Sequence, residues 1–69
     1  MKNTVRAERE RLKLTQAELA ALVQVSRQTI IAIERGRFDP SLRLAFSLSN
    51  TLGVEITTLF TPELERNPS

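Results

Sequence analysis

Sixty-nine residues make one domain, close to the lower size at which a core folds without disulfide or metal staples. The chain has neither cysteine nor histidine, which removes disulfide frameworks, the usual zinc sites and nucleophile–base catalysis, and its apolar runs are too short to span a bilayer. Net charge is only +2, but residues 1–38 carry eight Lys/Arg against four Glu and residues 39–69 carry two Arg against four Asp/Glu, so one end is suited to a polyanion. The N-terminus lacks the apolar region of a signal peptide, and the expected location is cytoplasmic, away from membranes.

A first helix is expected from about Thr4 to Leu12. Val5, Arg9 and Leu12 fall at i, i+4 and i+7, a narrow stripe facing the core. Arg9 is then a charge on an inward face and requires an acidic partner. Arg6, Glu10, Arg11 and Lys13 point elsewhere and read as ordinary solvated charges.

The next stretch, LTQAELAALVQVSRQTIIAIERG from Leu14 to Gly36, contains two start signals in succession. Thr15 is a good N-cap, and Glu18 three residues later completes a capping box; Leu14 and Leu19 are spaced as a hydrophobic staple. The helix they open, about Gln16 to Val23, turns Leu19, Ala20 and Val23 inward and leaves Leu22 partly exposed. Ser26 is the second N-cap, with Val25 and Ile30 in the staple positions. Gln24 occupies the turn, where a positive φ without glycine costs roughly 1 kcal/mol.

The third helix, about Arg27 to Arg35, has two faces. Ile30 and Ile33 are core, and Glu34 beside them is the acidic residue that Arg9 lacks, so an Arg9–Glu34 pair is predicted. The opposite face carries Arg27, Gln28, Ile31 and Arg35. Gly36 ends the helix in a left-handed residue. Two capped helices joined by about three residues have the spacing of a helix-turn-helix, whose second helix enters a DNA major groove.

Asp39 is the expected cap of a fourth helix, with Pro40 at its first position, where a missing N–H costs nothing. That helix runs to Leu52, burying Leu44, Ala45, Leu48 and Leu52 with Leu42 nearby, and Gly53 stops it. A short last helix near Glu55 to Phe60 has the apolar residues Ile56, Leu59 and Phe60, which either close the core or, with the end of the fourth helix, contribute to a two-fold interface. The fold class is all-α with five helices. Residues 1–61 form the domain, and residues 62–69, polar and proline-containing, a flexible tail.

The run LTQAELA, VSRQTI and IERGRFDPSL closely resembles the Cro/CI (XRE) type of helix-turn-helix phage-repressor proteins, over roughly Val5 to Phe60. The resemblance implies a lambda-repressor-like five-helix fold, symmetric homodimers and binding to palindromic double-stranded operators, usually in repression, with no cofactor or metal. Carried over by position, it places Gln16, Arg35 and Arg37 at DNA phosphates and Ser26, Arg27, Gln28 and Ile31 at base edges, with Ala32 near the groove. It also supports the Arg9–Glu34 pair. Three positions depart from the pattern: Gln24 replaces the usual turn glycine, Glu55 the usual small cap, and Glu8 a frequent leucine. None lies on the DNA face.

Chemistry gives these assignments reasons. An arginine reads guanine O6 and N7 with two donors, glutamine reads adenine N6 and N7, and isoleucine suits a thymine methyl group. Gln16 opens a helix whose free N–H groups favour an anion. A transcriptional regulator is thus the leading expectation, and enzymatic activity is not expected. The competing expectation is an antitoxin-like or adaptor protein that mainly binds a protein partner through its C-terminal end.

Overall fold

The computed structural model describes residues 1–62. Five helices follow one another: α1 (Val5–Arg11), α2 (Gln16–Leu22), α3 (Arg27–Glu34), α4 (Leu42–Leu52) and α5 (Ile56–Leu59). The helical reading therefore holds, with one addition: Lys2–Asn3 (β1) and Phe60–Thr61 (β2) pair antiparallel, Lys2 opposite Thr61 and Asn3 opposite Phe60. Two-residue strands are too short to show an alternating pattern, so they were invisible in the sequence. Thr4 N–H extends the pairing by donating to Leu59 carbonyl at 2.9 Å.

The core gathers one face from every helix. Val5, Leu19, Ile30, Ile33, Leu48, Leu52 and Leu59 are fully buried, with Ala20, Val23, Ala45 and Phe60 around them. The staple residues Leu14 and Val25 pack against this cluster, as does Ile56. Leu12 does not complete the inward stripe. The first helix stops at Arg11, the chain turns away, and Leu12 remains 39% exposed. Leu44 is half-buried, and Leu42 faces solvent.

Caps set the helix boundaries. Thr15 and Glu18 form the predicted capping box, with Glu18 N–H donating to Thr15 Oγ1 at 3.0 Å and Thr15 N–H to Glu18 Oε1 at 2.8 Å. Ser26 Oγ accepts from Thr29 N–H at 3.2 Å. The fourth helix corrects the Asp39–Pro40 expectation, because its cap is Ser41, whose Oγ accepts from Leu44 N–H at 3.2 Å. The cap must directly precede the first helical residue, Leu42, so Asp39 stands too far upstream, and its carboxylate instead meets the amino group of Met1 at 3.2 Å. Glu55 precedes α5 without a side-chain cap bond. At α1, Asn3 Oδ1 accepts from Val5 N–H at 3.1 Å while its Nδ2 donates to Ile33 carbonyl at 2.8 Å, tying α1 to α3.

Three helices end alike. After α3, Gly36 N–H donates to Ile33 carbonyl and Arg37 N–H to Ala32 carbonyl, both at 2.9 Å, with Gly36 at φ 73°. This paired closure is the Schellman motif. Lys13 and Gln24 hold the same left-handed position after α1 and α2, each at φ 59°. Gln24 was expected there; Lys13 was not.

Candidate nucleic-acid interface

The helix-turn-helix is α2, the connection Val23–Ser26, and α3. Ile30 and Ile33 anchor α3 with no exposed surface, which fixes its rotation about its own axis. Ser26, Arg27, Gln28 and Arg35 consequently stand exposed, while Ile31 and Ala32 are half-buried along one edge. Arg27 and Gln28 occupy the first turn of α3, immediately beyond the cap. Their side chains have no hydrogen-bond partner among the described residues. Ser26 is engaged: its Oγ accepts from Thr29 N–H and lies 3.0 Å from Thr29 Oγ1. Its hydroxyl therefore caps α3, and any base contact has to coexist with capping.

Below this surface lies a polar knot. Arg9 Nε donates to Glu34 Oε2 at 2.6 Å and Arg9 Nη2 to Glu34 Oε1 at 3.3 Å, confirming the predicted pair. A third Arg9 bond, from Nη1 to Leu14 carbonyl at 2.7 Å, reaches the segment that leads into α2. The side chains are 11% and 4% exposed, so both charges are largely withdrawn from water and depend on each other. The hydrogen bond to Glu34 raises the Arg9 pKa above its ordinary value against the opposing effect of burial, which keeps the guanidinium charged.

Gln16 joins this knot. Its Nε2 donates to Glu34 Oε1 at 3.1 Å, so the residue assigned to a DNA phosphate is oriented by the carboxylate that α3 supplies. Sequence spacing did not reveal that bond, because Gln16 and Glu34 lie on different helices and meet only when α2 packs on α3. Above the knot an open cleft of about 310 Å³ is bounded by Arg6, Arg9, Glu10, Gln16, Ile31, Glu34 and Arg35. It brings the expected site residues Gln16, Ile31 and Arg35 together and adds Arg6, whose charge was expected to be simply solvated. The signal was present in its spacing: Arg6 and Arg9 are at i and i+3 on one helix. Arg37 is exposed in the loop after Gly36 and does not line this cleft.

The fold has clear counterparts. The helix-turn-helix family profile matches residues 5–59. An uncharacterized HTH-type transcriptional regulator of Methanocaldococcus jannaschii, MJ0272, is 52% identical over 60 residues, covering 87% of this chain and 91% of that protein. An immunity repressor protein of Bacillus phage phi105 is 34% identical over 55 residues, covering 80% of this chain and 38% of its own length. Among solved structures, the restriction-modification controller protein C.AhdI of Aeromonas hydrophila superposes with a TM-score of 0.75 at 32% identity, over 81% of this chain and 85% of that one. With α2 and α3 in the arrangement described and the match running through all five helices, the chain belongs to the Cro/CI (XRE) type of the helix-turn-helix family, a non-enzymatic family of transcriptional regulators.

Proposed function

We propose that the protein is a sequence-specific regulator that binds double-stranded DNA as a homodimer, with α3 in the major groove, and represses transcription. One observation carries the reading. Ile30 and Ile33 lock one face of α3 into the core, and the opposite face presents Arg27 and Gln28 free at its first turn. In this reading Ser26, Arg27, Gln28 and Ile31 meet base edges, and Gln16, Arg35 and Arg37 meet phosphates. The contacts in this reading are side-chain bonds to groove edges and phosphate oxygens. Repression is supported by the similarity to a phage immunity repressor.

In this reading the homodimer interface lies at the start of α4 rather than at its end. Leu59 and Phe60, two of the apolar residues considered for it, are buried in the chain's own core, and Ile56 packs against that core. Leu42 and Phe46, one turn apart on α4, are 69% and 56% exposed instead. Beside them runs an apolar groove lined by Pro40, Ala45, Ile56 and Phe60. Protruding side chains next to a groove on one surface suit a two-fold contact in which each copy inserts into the other. A different protein on this patch, as in the antitoxin-like alternative, is the competing outcome.

The test is selection of bound sequences from a random duplex pool at low and high salt. A palindromic motif with half-sites about one helical turn apart supports the reading. Binding without sequence preference, lost steeply as salt rises, would overturn the claim of specificity and favour a partner-dependent role.

A further inference from the structure

We propose that Arg6 on α1 is a further contact to the DNA backbone, directed with Arg35 and Gln16 at a single phosphate seated in the cleft between α1 and α3. This rests on the DNA-binding reading above and adds a residue that the family-based assignment does not include.

The charges lining the cleft do not cancel. Arg9 and Glu34 neutralise each other through two hydrogen bonds and are 11% and 4% exposed, so the pair adds no net charge to the cleft. What remains at the rim is Arg6 and Arg35 against Glu10. Arg35 is exposed and has no ion-pair partner among the described residues. Arg6 contacts Glu10 at 3.3 Å, but the two side chains are 72% and 54% exposed, and an exposed pair one helical turn apart is weak. That pair keeps the Arg6 side chain beside the cleft and gives it up at little cost to a phosphate, whose oxygens accept two guanidinium donors at once.

The floor of the cleft is also prepared. The Gln16 amide nitrogen donates one hydrogen to Glu34 Oε1 at 3.1 Å, and an amide nitrogen has two. Glu34, ionised and accepting only, fixes the amide with its nitrogen inward, which leaves the second N–H for an anion. Glu34 is thus a positioning residue for Gln16, and the buried Arg9 in turn holds Glu34. A single anion above Gln16 would meet an amide donor and a guanidinium from each wall.

The test compares R6Q with R11Q by fluorescence-anisotropy titration of a labelled non-specific duplex across a salt series. Both changes remove one positive charge from α1. Arg11 bonds Glu8 and the Leu52 carbonyl and is no part of the cleft lining. Thermal unfolding followed by circular dichroism identifies a temperature at which both variants and the parent are folded. For R6Q the slope of log K against log salt flattens by about one unit, so its deficit relative to the parent shrinks roughly 3.5-fold as salt rises fourfold. R11Q retains the parent slope. An unchanged slope in R6Q, or an equal change in both variants, would overturn the assignment, the latter by showing that net charge alone matters. Failure of the parent protein to bind any duplex would instead remove the DNA-binding reading itself.

Discussion

Arg9 illustrates how one side chain can tie binding to folding. It spans Glu34 on α3 and the carbonyl of Leu14, and Glu34 in turn orients Gln16. Glu34→Gln removes the counter-charge of a guanidinium that has little access to water, so a loss of about 3–5 kcal/mol in urea unfolding is expected. The double change Arg9→Met with Glu34→Leu removes both charges and is expected to recover most of that loss, because a well-packed apolar pair often equals a buried ion pair. A double variant as unstable as the single one would show that shape, not charge balance, governs this position. At the exposed end of α3 the expectation concerns specificity. Gln28→Ala relaxes preference at one base pair by about 1–3 kcal/mol, whereas Arg37→Gln weakens all sequences about equally. Unchanged specificity in Gln28→Ala, read from sequence selection, removes that residue from the base-contact set.

The helices are bounded by short-range chemistry, and here the structure separates two kinds of signal. Thr15 and Ser26 cap as their sequence context predicts, and Gly36 and Gly53 take the left-handed conformation that glycine adopts without strain. The cap of the fourth helix was expected at Asp39, and the structure puts it two residues later, at Ser41. Ser41→Ala should therefore lower stability by about 0.5–2 kcal/mol through its lost bond to Leu44 N–H. Asp39→Ala should cost less, having only an exposed contact to the Met1 amino group. Equal losses in thermal unfolding would place the cap elsewhere. Lys13 and Gln24 keep a left-handed backbone that favours glycine, so Gln24→Gly should stabilise by up to about 1 kcal/mol, the relief of strain outweighing glycine's greater freedom when unfolded. A fall in melting temperature for this variant would show that the turn tolerates glutamine without strain.

For the whole molecule the decisive feature is the apolar surface at the start of α4. Leu42 and Phe46 expose too much apolar surface together to be scattered singles. Phe46→Glu is expected to leave the fold intact, since its side chain lies outside the core, and to convert a dimer to a monomer in sedimentation equilibrium. Affinity for a palindromic site should then fall more than affinity for a half-site, because linking two half-site contacts multiplies their effect. Monomeric behaviour of the parent protein at micromolar concentration would remove the homodimer and leave the patch to another protein.

Local signals in the sequence determined the five helices, the helix-turn-helix and the candidate DNA face, because caps, staples and the 3.6-residue period act over a few residues. They also brought Arg9 and Glu34 together by elimination, each being a charge on an inward face. Tertiary structure alone decided the rest. The β1–β2 pair joins residues nearly sixty positions apart in strands too short to show a period. Leu12 and Leu42 match the apolar pattern but end outside the core, since a helix end and a helix start turn them away from it. The Gln16–Glu34 bond and the cleft containing Arg6 arise only where three helices converge, a geometry set by the packing of Ile30, Ile33, Leu19 and Val5 into one core.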